Sequence, residues 1–219
     1  MSPPADRPGM DGAELVTDVR EVRETELSRL GSEKAVVAAT DARLETGPVL
    51  SAAARLLDGG ADTLVEWADG TGDEHARTAF ADVADDLAGH RDAILDLDDA
   101  ASAGGDVPYL VDELRTAATA PERVAAGLVA YPLVVERLLL QVIDVLVDEG
   151  DRSHAEVVRE ARTALRAMPE KGATLLDGVC ADDGDRVTAE KAATDAIGTA
   201  YDEYTSRLRE LGLDPKPAR

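Results

Sequence analysis

The sequence predicts an all-α fold built as an antiparallel helical bundle. Three observations carry that prediction. Apolar residues recur at steps of three and four along nearly the whole chain, the period of an amphipathic helix. No stretch alternates apolar and polar residues as a half-buried strand does. Short turns such as Asp69-Gly-Thr-Gly-Asp73 and Asp182-Asp-Gly-Asp185 join the periodic segments, and connections of that length favour antiparallel neighbours.

Taken in order, residues 1–10 are rich in Pro and lack an apolar core, so a disordered segment is expected there and no signal peptide. A single domain is expected over residues 11–212. Its first helix carries Leu15, Val19, Val22 and Leu30 on one stripe, with Glu26 on the same face, and Gly31-Ser32 interrupts it. A short apolar helix is expected around Ala35 to Leu44. Gly47-Pro48 restarts the chain, because proline suits a first helical turn. Leu50, Ala53, Leu57, Leu64 and Ala68 then form a seam, which Gly59-Gly60 weakens. The next helix reads Phe80, Val83, Leu87, His90, Ile94 and Leu97, a bundle seam facing the core.

Residues 100–106 read as a loop, and Asp106-Val-Pro108 opens a short helix to about Ala118. Thr119-x-x-Glu122 with Pro121 is a capping box that starts another helix, whose seam is Leu128, Tyr131, Val135, Leu138, Val142 and Val145. Pro132 should kink it. A second capping box is expected at Ser153-x-x-Glu156. The helix beyond it shows Val158, Ala161, Leu165 and Met168 and should bend or break at Pro169. The last helix is expected from about Thr188, with Ala193, Ile197, Ala200/Tyr201, Tyr204, Leu208 and Leu211 on one face and Gly212 at its end. Residues 213–219 are expected to form an extended tail.

The charge balance speaks to the solvent. There are 45 Asp and Glu against 23 Lys and Arg, of which only Lys34, Lys171, Lys191 and Lys216 are lysines, and the formal net charge is −22. The carboxylates are interleaved with Val, Leu and Ala in a chain that is 44% hydrophobic, so this is not an acidic disordered tail. A surface for cations or basic partners is one alternative. The reading preferred here is a salt-adapted cytoplasm, since the Debye length is only about 3 Å at 1 M salt. No basic stripe exists to hold a nucleic-acid backbone directly. Cys180 stands alone, which rules out an intrachain disulfide or a cysteine-built zinc site, and it reads as an inert thiol. The most apolar stretch, Val124 to Val147, contains Glu136, Arg137, Gln141 and Asp144, so it reads as a buried bundle helix and no membrane association is expected.

Few residues could carry chemistry. A phosphate loop and a Gly-x-Ser-x-Gly elbow are both absent, and Asp182-Asp-Gly-Asp185 lacks the spacing of a calcium loop. A di-metal carboxylate centre in a bundle needs Glu-x-x-His on two helices, so that both ligands face inward one turn apart. The residues three before His75, His90 and His154 are Gly72, Leu87 and Asp151, so Glu-x-x-His never occurs. Asp151-x-x-His154 has the spacing but falls at a helix start. His75 reads as exposed. His90 sits on a seam with Asp86 one turn before it, and Glu26 lies on an apolar stripe. These are the residues on which residual metal binding would rest, although each also reads as an ordinary packing or boundary residue. No catalytic, cofactor or metal ligand is assigned.

Several short motifs carry a family resemblance. Thr25-Glu-Leu-Ser-Arg-Leu-Gly-Ser32, Ala52-Ala-Ala, Glu66-Trp-Ala-Asp69, Ala79-Phe-Ala81 ahead of Asp85-Asp86 and His90, and Ala200-Tyr-Asp-Glu-Tyr204 with Leu211-Gly-Leu-Asp-Pro-Lys-Pro217 resemble haloarchaeal proteins of the rubrerythrin-like branch of the ferritin-like superfamily. Some of those proteins carry a transcription-antitermination label. The resemblance implies a ferritin-like antiparallel bundle with additional N- and C-terminal helices. It also implies metal ligands that this chain lacks. Leu56-Leu-Asp-Gly-Gly60 stands where Glu-His-like residues would be, Leu87 stands in the carboxylate place before His90, and the cysteine-rich iron module is missing. The expectation is therefore a non-catalytic structural or protein-interaction module without cofactor, with an unidentified protein partner or a second copy of itself. The alternatives are a di-iron oxidase or peroxidase, and a transcription accessory factor acting through protein partners.

Overall fold

A computed structural model describes residues 11–215, and all regular structure within them is helical. The expectations for residues 1–10, and for the tail from residue 216 on, lie outside the described residues. The elements are α1 (Gly12–Val22), α2 (Glu24–Leu30), α3 (Glu33–Ala39), α4 (Thr46–Gly70), α5 (Glu74–Leu95), α6 (Tyr109–Leu114), α7 (Ala120–Val124), a widened π-helical segment (Ala125–Ala130), α8 (Tyr131–Asp148), α9 (Arg152–Val179) and α10 (Asp183–Glu210).

Four long helices form the centre, and their contacts fix their directions. Trp67 of α4 meets Phe80 of α5 edge to face at 5.6 Å, and Asp58 bonds Arg91 at 2.6 Å. Numbers fall along α4 as they rise along α5, so the pair is antiparallel. In the same way Gly127 lies against Trp67, and the Tyr131 hydroxyl donates to the Leu56 carbonyl at 2.8 Å, which sets α8 antiparallel to α4. Glu136 bonds Arg162 at 3.0 Å and Leu128 packs on Gly172, so α9 is antiparallel to α8. The ring closes where α9 packs on α5. Residues 96–119 are a single long crossover along α4. Ala100 lies beside Gly47, Val111 beside Gly59, and Arg123 over the Trp67 ring at the far end. Outside this square, α1 lies on α9, while α10 covers α6, α7 and the widened segment and receives α2 and α3.

The predicted seams largely face the core. Phe80, Val83, Leu87 and Ile94 are buried, with Leu87 at 1% exposure, but His90 and Leu97 are only half-buried. The Thr119–Glu122 capping box forms in both directions. Asp11 and Glu14 form another that the sequence reading did not include.

Other expectations need correction. The first helix is broken at Arg23, whose φ of −107° and ψ of 20° leave the helical well. Val22, the last residue of α1, is 62% exposed, and beyond the break Leu27 and Leu30 are the buried positions of α2. The short apolar helix ends at Ala39, because Asp41 and Ala42 turn into the left-handed region and the Ala42 amide closes on the Val37 carbonyl at 2.8 Å. Helix α4, by contrast, runs unbroken through Gly59-Gly60, as the seam from Leu50 to Ala68 requires. Ser153 caps nothing: Asp151 is the N-cap of α9, without a side-chain cap bond, and Ser153 lies in the first turn. Pro169 is buried inside an uninterrupted α9. Before Pro132 the helix widens over residues 125–130, a local adjustment that accommodates a missing amide while the helix continues. Helix α10 starts at Asp183, five residues early, because Asp182 accepts from the Asp185 amide at 3.0 Å and caps it.

Residues 120–148 are the one helical stretch among the described residues that is long and apolar enough to cross a membrane. Its most apolar window is 83% buried inside the bundle, a placement compatible with a soluble protein.

Candidate functional site

A di-metal centre in a helical bundle sits between the facing helices, and the interior of the four-helix square is lined mostly by apolar residues. Leu57, Ala61 and Leu64 of α4, Phe80, Val83 and Leu87 of α5, Tyr131, Val135 and Val142 of α8, and Val158, Ala161 and Leu165 of α9 are all at most 3% exposed. The buried polar side chains there are already spent. Thr63 donates back to the Gly59 carbonyl at 2.8 Å, and Gln141 donates outward to the Gly31 carbonyl at 2.9 Å. The Tyr131 phenol is pushed up far above its ordinary range by complete burial, and it stays a neutral donor to Leu56.

The candidates named from sequence do not converge. Glu26 sits on α2, half-buried, and accepts from Arg23 at 2.9 Å. Asp86 is exposed on α5, and His90 is half-buried on the same helix. Helix α2 packs on α8 and α10, whereas α5 packs on α4 and α9, so these residues belong to different faces of the molecule. His75 is exposed. His154 Nδ1 lies 3.8 Å from an Asp151 oxygen, too far for a hydrogen bond. Among the described residues no group of three or more His, Cys, Asp or Glu is arranged to hold a metal ion. Burial pushes the Cys180 thiol up, away from the reactive thiolate.

What the fold does build is a cleft of about 280 Å³ between α3, α4, α10 and the crossover. Its deep wall is apolar and includes Leu56, Leu110 and Leu138. Three arginines reach it from three elements: Arg43 after α3, Arg55 on α4 and Arg207 on α10. Arg55 is half-buried and donates to the Ala39 carbonyl, at the C-terminus of α3, at 3.3 Å. Desolvation lowers its pKa first, and the neighbouring Arg43 charge lowers it further, against an opposing pull from Asp41 and Asp106. Arg43 is exposed and donates to the Thr40 carbonyl at 3.2 Å.

Three carboxylates share the cleft. Asp41 and Asp106 are exposed at the rim. Glu203 is half-buried and accepts the Tyr109 amide at 2.9 Å, and burial raises its pKa despite the opposing pull of that bond and of Arg207. At the rim Asp41 and Ala42 hold φ of 51° and 62°, left-handed values that a residue other than glycine adopts at a cost. That turn holds Asp41 and Arg43 at the mouth.

No sequence signal marks this cleft. Its polar residues lie on four separate segments, and no spacing rule relates them.

No family model, no curated protein and no solved structure matches this chain.

Proposed function

We propose that this chain is a non-catalytic bundle of the ferritin-like class, serving a salt-adapted cytoplasm as a structural or protein-interaction module. Two features support the class: four long antiparallel helices in a square, and a single crossover joining the second helix to the third, the connection that distinguishes ferritin-like bundles from simple up-and-down ones. One observation carries the non-catalytic part: among the described residues the interior of α4, α5, α8 and α9 buries no carboxylate or histidine, and its few polar side chains are bonded to backbone carbonyls. Di-metal centres of this class take inward-facing carboxylates from all four helices and histidines from two. Here Leu87 occupies the position one turn before His90, and the carboxylates lie outside the square. The residues present do not fit such a centre, so no metal-dependent step is assigned to it.

A partner would be a protein, since a chain with a net charge of −22 repels nucleic-acid backbone at long range. Elemental analysis of protein purified without chelators tests the reading. The expected result is far less than one iron or manganese per chain. Two metals per chain, lost together with peroxide turnover in His90→Leu, would overturn it.

A further inference from the structure

We propose that the cleft between α3, α4, α10 and the crossover binds a small amphiphilic anion: an aliphatic body carrying one carboxylate or phosphate head. The body would lie against the apolar wall formed by Leu56, Leu110 and Leu138, and the head would meet Arg55 with Arg43 beside it. A cleft of about 280 Å³ is near the lower end of ligand pockets, which suits a small molecule. An apolar lining with a few convergent polar groups is the usual composition of such a site.

The cations are available in a way the carboxylates are not. A guanidinium has five N–H donors. Among the described residues the one bond of Arg55 goes to the Ala39 carbonyl, and no carboxylate lies within ion-pair distance of it or of Arg43. Arg207 has a long contact of 3.7 Å to Glu210. Glu203 accepts the Tyr109 amide and feels both Arg207 and Arg55, but burial outweighs them and favours its neutral form. Asp41 and Asp106 face water at the rim. An anionic head would therefore contact directly the paired charges of Arg55 and Arg43, which Asp41 and Asp106 offset only from a distance. Arginine suits the task, because its planar fork matches carboxylate and phosphate two bonds at a time.

The bland role of Arg55, a cation placed at the C-terminus of α3, uses one donor and leaves the others for a ligand. This inference does not rest on the ferritin-like reading: metal content and ligand binding are measured separately, and either can fail alone.

The test is isothermal titration of the full chain in about 2 M KCl, where nonspecific charge attraction is screened within a few ångströms. The probes are decanoate, decyl phosphate, decanol, decylammonium and inorganic phosphate. One decanoate or decyl phosphate should bind per chain. Decanol and inorganic phosphate should bind at least about tenfold more weakly, because each lacks one half of the recognition. Decylammonium should not bind. The tighter of the two anions identifies the head.

Arg55→Gln should weaken binding about tenfold or more, the scale of one charge-assisted hydrogen bond. Arg43→Gln, at an exposed position, should weaken it less, and Arg159→Gln on the exposed face of α9 should leave it unchanged. Circular dichroism checks that each variant is folded. If Arg55→Gln fails to fold, Arg43→Gln decides. Equal binding of decanol and decanoate, preference for decylammonium, wild-type affinity in the folded cleft variants, or no saturable binding of either anion up to about 1 mM would overturn the proposal.

Discussion

Gly60→Ala should destabilise this protein, whereas the same change at Gly89 should stabilise it. Both glycines lie inside long helices, where alanine is favoured over glycine by about 1 kcal/mol. At Gly89 a new methyl meets nothing within 4 Å, so that gain should appear nearly whole. At Gly60 the methyl would lie 2.3 Å from the Tyr131 hydroxyl oxygen and 2.5 Å from the ring carbon that bears it. Tyr131 is fully buried and tied to Leu56, so its ring has nowhere to go. Overpacking of this kind costs about 1–3 kcal/mol. Displacing the hydroxyl from its acceptor costs about 1 kcal/mol more. Set against the propensity gain, the net loss at Gly60 is about 1–3 kcal/mol. Urea unfolding in molar KCl, followed by helicity, reads both variants against wild type. A Gly60→Ala protein as stable as wild type would refute the account of how α4 and α8 approach each other.

Three further outcomes are expected. Leu87→Asp should cost about 3–5 kcal/mol in the same assay, because it places an unpaired charge at a position 1% exposed. A loss below about 1 kcal/mol would mean that α5 can rotate its seam outward. Helicity should fall steeply as KCl drops from molar to about 0.1 M, where the screening length grows to about 10 Å and the surface carboxylates repel; equal helicity at both salts would remove the salt-adapted reading. Glu203→Gln keeps an acceptor for the Tyr109 amide and removes a charge that burial disfavours. Because the folded pKa of Glu203 is raised, the folded state holds its proton to higher pH than the unfolded state, so wild type loses stability as pH rises through that window. The variant should therefore match wild type below the ordinary glutamate range and exceed it at neutral pH; the opposite order would show that the carboxylate is net stabilising.

The helical class was legible because the seams are strong. Phe80, Val83, Leu87 and Ile94 fall inside, as their spacing requires, and the Thr119 cap forms as written. What sequence could not supply was the effect of one element on another. Gly59-Gly60 looks like a weak point in isolation, yet it is where Val111 of the crossover and Tyr131 of α8 press against α4. The start of α10 moved because Asp182 is an N-cap as well as a turn residue. The single stripe expected from Leu15 to Leu30 is split because one off-helix residue, Arg23, rotates α2 relative to α1. The cleft was illegible for a stronger reason. Arg43, Arg55, Glu203 and Arg207 are brought together by tertiary packing alone.

The apolar square and the acidic surface express one constraint. A carboxylate inside a helical bundle is tolerable when a cation sits on it, and costs several kcal/mol when none does. At Leu87 a carboxylate would face neighbours such as Phe80 and Val83, with no arginine in the inner layer to answer it. Without such a cation the stable arrangement puts leucine there and leaves the acidic residues to water. The same logic applies in reverse to Arg55. Arg55 is half withdrawn from water beside Arg43 and Arg207, and the Asp41 and Asp106 charges that offset this act from the rim without contacting it, so its remaining donors stay open to an anion. Arg137 is desolvated in the same way, but Glu136 contacts it at 3.0 Å; among the described residues Arg55 has no such contact, and that difference sets the cleft apart.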